Sequence, residues 1–341
     1  MSVVRAGRLV QGQVVAQFER AVADWFGRRA GVAVSSGTVA LELAMRAMDI
    51  RPGDEVIMPS YVCAAPWQAC TRVGATPVIA DIDRTTYNLD PESARRLQTT
   101  RTKAIVVPHL FGLSAETTQL AQLGIPLIED CAQTLDAEAG GRKVGTTGLV
   151  TICSFYATKP LCAGEGGMVL SDDVLLLERV RRLREYDEAL DLTAGATNAK
   201  MTELHAAIGL AQLSKLPAFM SRRRAIAARY RKAWASLPLT LPASPPERTH
   251  DYFRFVVEAQ ADRSGPDAGT AWLETCTQLG LHCRRPIFQP LHRYLGDAEC
   301  PHSEAAARAA ISIPLYPALT DKEVSRVIQL VQETCHEVAQ F

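Results

Sequence analysis

The residue in this 341-residue chain best placed to do chemistry is Lys159, within residues 149–170, LVTICSFYATKPLCAGEGGMVL. It follows an apolar run that reads as a strand over 150–155. It precedes a glycine-rich corner (Gly164, Gly166, Gly167) and a second apolar run. Ala157, Thr158, Pro160 and Leu161 around it are uncharged, and Glu165 is the one acid nearby. Desolvation disfavours the charged form of an amine, and a neutral amine is what Schiff-base chemistry requires. A lysine after a strand is also an ordinary solvated loop residue, so the choice rests on the rest of the chain.

Two further segments offer partners. Residues 31–48, GVAVSSGTVALELAMRAM, read as a strand, a turn Ser35-Ser36-Gly37-Thr38, and a helix from Val39. Small residues at a helix N-terminus let backbone N–H groups and a hydroxyl converge on an anion; a plain helix cap by Ser36 or Thr38 is the alternative. A strand over 125–129 ends in Glu129-Asp130-Cys131-Ala132-Gln133. An acid at the carboxyl end of a buried strand lies where α/β folds bind ligands; here too a helix cap is the alternative.

The elements that must position these residues alternate. A helix is predicted over 14–26, strands over 31–34, 74–83 and 103–108, a turn and a short strand within 51–60, and a helix over 64–73, followed by the strands already described. Such alternation predicts a mostly parallel sheet covered by helices on both faces. Helices follow over 171–185, 201–216 and 218–237, with a loop over 186–199 between the first two. The arginine-rich face of the helix over 218–237 reads as solvated or intersubunit. Beyond the proline-rich residues 238–247 come a strand over 252–259, a helix over 271–279, an extended 283–286, a helix over 303–310, an apolar turn over 311–316 and a closing helix over 321–337. A boundary is expected near 217–240, dividing the chain into a large domain (1–225) and a small C-terminal α/β domain (226–341).

Composition narrows the class. Hydrophobic residues make up 47% and charged residues 22%, as in ordinary globular proteins. Thirty-seven basic and thirty-seven acidic residues balance, which gives no electrostatic reason to bind nucleic acid or an anionic membrane. No apolar run reaches membrane-spanning length. The nine cysteines lack C-x-x-C pairing and read as reduced core residues of a cytoplasmic protein, without a zinc site or other metal.

In order along the chain, VVAQFERAVADWFG, SSGTVALELAM, RPGDEVIMPS, GATPVIADID, LIEDCAQ, SFYATKPLCAGEGG, NAKMTELHAAIGLAQL and SIPLYPALT resemble the DegT/DnrJ/EryC1/StrS family of pyridoxal 5′-phosphate-dependent aminotransferases. The resemblance implies a fold type I, aspartate-aminotransferase-like architecture, with a mostly parallel seven-stranded sheet in the large domain. It implies that Lys159 bonds the cofactor and that Asp130 pairs with its pyridinium nitrogen, keeping it protonated as an electron sink. Gln133 would reach the ring hydroxyl. Gly37, Thr38 and Ser154 would hold the phosphate, and Asn198 would reach the phosphate from the neighbouring subunit of a homodimer with shared active sites. Lys159 would also shuttle the proton.

The chain departs from the family pattern in several places. Where an aromatic ring commonly stacks on the cofactor, the alignment places Cys63, with Tyr61 two residues earlier; either the sulfur packs on the ring or Tyr61 reaches it. The usual histidine after the glutamine is Leu135, and the usual arginine before the methionine is Lys200. His109 matches a family histidine and either faces the cofactor or is a strand-end histidine satisfied by backbone.

The activity implied is amino transfer from an amino acid, glutamate or glutamine, to a nucleotide-linked keto-sugar, in the biosynthesis of an amino sugar or antibiotic. The alternatives are a cyclitol or other secondary-metabolite ketone as acceptor, or a catalytically idle family member serving as partner subunit.

Overall fold

The structure, a computed structural model, describes residues 2–186, 195–259, 268–296 and 299–338. The expected loop over 186–199 lies partly outside them. In chain order the strands are β1 (Ala30–Val34), β2 (Glu55–Pro59), β3 (Thr76–Ala80), β4 (Thr102–Pro108), β5 (Leu127–Asp130), the short hairpin β6 (Glu138–Ala139) and β7 (Arg142–Lys143), β8 (Val150–Ser154), β9 (Gly167–Ser171), β10 (Leu239–Thr240), β11 (Phe255–Ala259) and β12 (Ala310–Ile313). The helices are α1 (Ser2–Ala6), α2 (Gln13–Phe26), α3 (Gly37–Ala47), α4 (Ala65–Arg72), α5 (Pro91–Leu97), α6 (Thr117–Ala121), α7 (Val174–Arg184), α8 (Glu203–Leu213), α9 (Leu216–Ala233), α10 (Ala268–Gln278), α11 (His292–Leu295), α12 (Pro301–Ala309) and α13 (Asp321–Val338).

Seven strands form one sheet in the order β1-β9-β8-β5-β4-β2-β3. All pairings are parallel except those of β9 with β1 and β8. Central strands of a parallel sheet are buried on both faces, which is why β2 (EVIMP) is buried at every position and β8 (VTICS) at all but Ser154. The parallel register sets Pro108 beside Asp130 and Asp130 beside Ile152, so the strands end at one level. α2 buries Val15, Phe18, Val22 and Phe26 against one face. Its first N–H groups are met by the buried carboxylate of Glu203, which accepts from Gly12, Val14 and Val15 at 2.8–3.1 Å.

A second, antiparallel sheet β10-β11-β12 packs with α10 and α13 around Tyr230, Trp234, Phe255 and Trp272. α9 belongs to both parts. Leu216 and Met220 join the core around Phe18 and Phe155, whereas Ile226, Ala227 and Tyr230 join the core around Trp234. Polar ties complete the junction. Glu258 on β11 pairs with Arg84 and accepts from the Tyr87 hydroxyl at 2.8 Å. Asp81 accepts from the N–H groups of His302 and Ser303 in the first turn of α12, at 2.8 Å each.

Two expectations are corrected. Residues 311–316 are not merely a turn: β12 pairs with β11 from Ile313 opposite Phe255 to Ala310 opposite Glu258, because alternate side chains here have a core to fill. The arginines of α9 are not a solvated face. Arg224 joins Asp136 and Asp251 at 2.9 Å each, Arg222 and Arg229 pair with Asp321, and Arg223 is buried, donating to the carbonyls of Tyr252, Phe253 and Leu315.

Candidate active site

The expected site residues reach the sheet's carboxyl end from separate strands, where ligands bind in α/β folds. After β1, Ser36 caps α3, accepting from the Val39 N–H at 3.2 Å. The first-turn N–H groups of Gly37 and Thr38 have no acceptor inside the helix. A Cβ placed on Gly37 would lie 2.7 Å from the Ser154 Cβ and 3.0 Å from its hydroxyl oxygen. The absent side chain is therefore what lets the Ser154 hydroxyl stand at this helix terminus. Gly167, opposite Ser154 in the β8–β9 ladder, presses as closely on the Ser36 carbonyl.

Lys159 sits in a tight turn, its N–H bonded to the Tyr156 carbonyl at 2.8 Å. It is half-buried, with Ala157 and Thr158 exposed, so its surroundings are wetter than their apolar sequence predicts. Its ammonium stands 5.5 Å from the Phe253 ring centre. Asp130 is buried, and one carboxylate oxygen accepts from the Ala132 N–H at 3.0 Å. Burial pushes this carboxyl above its ordinary range, opposed by that N–H and by the charges of Lys159 and His109. Gln133 accepts from the Phe111 N–H at 2.9 Å, which leaves its amide N–H groups to donate elsewhere.

Cys63 borders the same space: burial, then the charge of Asp130, push its thiol up, and Lys159 is near enough to oppose them. The residue is nonetheless exposed, so it is not one of the expected core cysteines. Tyr61 points elsewhere. It is fully buried against Tyr87 and Phe111, with its hydroxyl 3.4 Å from the Ala306 carbonyl. Cys63, unlike Tyr61, lies near enough to Asp130 and Lys159 for their charges to act on it.

His109 is sealed in the core. Its Nδ1 accepts from the Ala115 N–H at 3.0 Å, which fixes the remaining ring proton on Nε2, 3.0 Å from Glu129. Burial alone would raise the Glu129 carboxyl. The bond to His109 and the N–H groups of Gly148 and Gly145 outweigh it and hold the carboxyl below its ordinary value. Of the two adjacent acids, Glu129 therefore anchors a loop, whereas Asp130 lies within reach of the Lys159 charge. Leu135 is core under α2. Asn198 is exposed, one residue before Ala199, whose carbonyl accepts from the Ser35 N–H at 2.8 Å. Lys200 bridges Val34, its ammonium 5.8 Å from the Tyr186 ring centre.

Sequence reasoning missed Phe253 and Arg254. The signal available was an arginine interrupting the apolar run YFRFVV.

A half-buried lysine, an under-compensated buried carboxylate, a free amide donor and a helix terminus with a hydroxyl together fit pyridoxal phosphate: amine for aldehyde, acid for ring nitrogen, N–H donors for phosphate. That donor set on this sheet suits a pyridoxal-phosphate-dependent enzyme. Residues 1–332 match the DegT/DnrJ/EryC1/StrS aminotransferase family, and the chain belongs to it. It is 34% identical to the dTDP-3-amino-3,4,6-trideoxy-alpha-D-glucose transaminase of Streptomyces venezuelae, with 99% of this chain and 91% of that protein covered. It is 32% identical to the UDP-N-acetyl-3-dehydro-alpha-D-glucosamine 3-aminotransferase of Acidithiobacillus ferrooxidans, over 93% and 88%. The crystal structure of S. venezuelae DesV is similar throughout: TM-score 0.91 at 33% identity, over 97% of this chain and 92% of that one. The protein is an aminotransferase, and its cofactor is pyridoxal 5′-phosphate.

Proposed function

We propose that this aminotransferase moves an amino group from glutamate or glutamine to the ketone of a nucleotide-linked sugar. The observation that carries the reading is that Lys159 lies close enough to Asp130, at the carboxyl end of β5, for its charge to act on that carboxyl. The sugar-nucleotide names of both relatives support the acceptor class.

When bound, pyridoxal phosphate supplies an electron sink that lets nitrogen leave one carbon skeleton and join another. Gly37, Thr38 and Ser154 hold its phosphate, and Gln133 donates to its ring hydroxyl. Asp130 would keep its ring nitrogen protonated, a pairing favoured because the carboxylate is buried with one N–H partner among the described residues. Cys63 packs beside the ring. Lys159 would be the residue that bonds the cofactor and would carry the proton between substrate carbon and cofactor.

A second copy belongs to the proposal, with Asn198 completing the phosphate site of its neighbour. Leu9, Val10, Leu204 and Ile208 support this: they are 40–46% exposed and cluster where Val10 bridges Thr202, an apolar patch suited to an interface.

The test is to add glutamate, then glutamine, to the yellow holoenzyme and follow cofactor absorbance, then add keto-sugar nucleotides and look for the aminated sugar by mass spectrometry. The expected result is bleaching by one donor and recovery with a sugar nucleotide. Bleaching without recovery on any keto-sugar, but with recovery on a cyclitol ketone, would overturn the acceptor assignment.

A further inference from the structure

Between the Thr158 shoulder of the lysine turn and the small sheet lies a cavity of about 340 Å³, walled by Phe253, Arg254, His282, Arg284 and Ser312. Its charge is unbalanced. Arg254 makes one neutral hydrogen bond, to the Ser312 hydroxyl at 3.3 Å, and Arg284 makes none with its side chain among the described residues. No carboxylate pairs with either among those residues. Two of the fully buried arginines have acids instead: Arg28 pairs with Asp172 and Arg184 with Glu19. Behind the same wall Arg223 is 7% exposed, and its Nε is buried without an acceptor.

Burial and the neighbouring charge of Arg284 both push the Arg254 guanidinium below its ordinary value. Arg254 is half-buried beside the exposed Arg284, and a part-desolvated guanidinium near a second cation is stabilised by an anion that reaches it from the open side. The guanidinium fork also matches the oxygens of carboxylates and phosphates. The cavity is next to the chemistry, because the Arg254 guanidinium is 5.4 Å from the Phe253 ring centre and the Lys159 ammonium is 5.5 Å from it.

We propose that Arg254 and Arg284, with the Ser312 hydroxyl, form an oxyanion subsite one aromatic ring away from Lys159 that holds a substrate anion. Two substrates of the proposed reaction carry such oxygens, the amino donor in its carboxylates and the sugar nucleotide in its diphosphate. The assignment rests on that function only for the identity of the anion. Arg254 is on this view a specificity residue, gripping the part of the substrate that does not react.

The test uses the holoenzyme and two unreactive probes, glutarate for the carboxylates and inorganic pyrophosphate for the diphosphate, titrated by calorimetry at fixed ionic strength. Arg254→Met should weaken at least one probe roughly ten- to hundredfold, the value of a charge-assisted hydrogen bond. Cofactor absorbance should stay intact, and Arg326→Met, the same charge change on the exposed side of α13, should change neither probe. Loss of glutarate alone assigns the donor, loss of pyrophosphate alone the nucleotide, and loss of both a shared subsite. In steady state the matching KM should rise with kcat little changed, and Arg254→Lys should restore part of the loss. Should Arg254→Met not fold, Arg284→Met carries the same readout. Wild-type affinity in the arginine variants, or no binding of either probe to the wild type, overturns the subsite. The two readings fail separately: probe binding that depends on Arg254 without amino transfer would sink the function and keep the subsite. Amino transfer with probe binding indifferent to Arg254 would do the reverse.

Discussion

Gly37 and Ser154 are held so close that no side chain fits between them: a Cβ on the glycine would stand 2.7 Å from that of the serine. Two segments more than a hundred residues apart thereby place a hydroxyl and two free N–H groups around one point. Gly37→Ala should push Ser154 off that point and weaken pyridoxal phosphate binding by about tenfold or more, the value of one charge-assisted hydrogen bond. Titration of the apoprotein with the cofactor measures it, and unaltered affinity would show that the close approach serves packing alone.

Asp130→Asn should leave the fold intact, since the one hydrogen bond its side chain makes among the described residues, from the Ala132 N–H, can be accepted by the amide oxygen. Amino transfer should nonetheless fall by orders of magnitude, because a neutral amide does not hold a proton on the ring nitrogen. Near-normal turnover with an unchanged melting temperature would reduce Asp130 to a backbone cap.

The dimer proposed above, with its shared sites, predicts complementation. A chain carrying Lys159→Ala mixed and refolded with one carrying Asn198→Ala should form heterodimers in which one site has both residues intact. Activity above the sum of the parents should return when pyridoxal phosphate is limiting. No recovery in mixtures shown to contain heterodimers would remove Asn198 from the neighbour's site.

Stability should depend on pH through His250. Its Nδ1 accepts from the Tyr252 N–H at 2.9 Å. Burial, then Arg231 and Arg224, push the ring's pKa down to about 3 from the ordinary 6.5. A depressed folded value means the unfolded chain takes the proton first. The contribution is therefore complete above pH 6.5 and is lost as pH falls toward 3, by up to ~1.4 kcal/mol per pH unit. His250→Asn should be less stable at pH 7 but lose less on going to pH 5. Urea unfolding at the two pH values tests this, and an equal loss in both proteins would refute it.

The sheet and the lysine turn were legible because their signals are local: unbroken apolar runs for β2, β4 and β8, small residues at Gly37, and glycines closing the turn after Lys159. Cys63 beside Asp130, with Tyr61 turned away toward Ala306, was not legible. Two neighbouring side chains leave an irregular segment in different directions, and only the packing of Tyr87 and Phe111 decides which goes inward. The same holds for Glu129 and Asp130, whose opposite fates follow from strand alternation once the cleft is known. The arginines of α9 were misread because helical spacing shows that they share a face but not that Asp136, Asp251 and Asp321 come to meet it. β12 was read as a turn because its partner strand lies more than fifty residues earlier.

The antiparallel placement of β9 has a consequence for what changes in chain length the site tolerates. Ser154 and Gly167 are rungs of one ladder, so the segment carrying Lys159 leaves and re-enters the sheet at the same point. Loop closure depends only weakly on length, and an added residue after Gly164 would bulge outward and leave the turn before it unaltered. A residue added between Ser154 and Lys159 would instead move the amine while the hydroxyl and the helix terminus stayed in place. Such a chain would still capture the phosphate of the cofactor yet hold the reactive amine out of reach, uncoupling possession of the cofactor from its use.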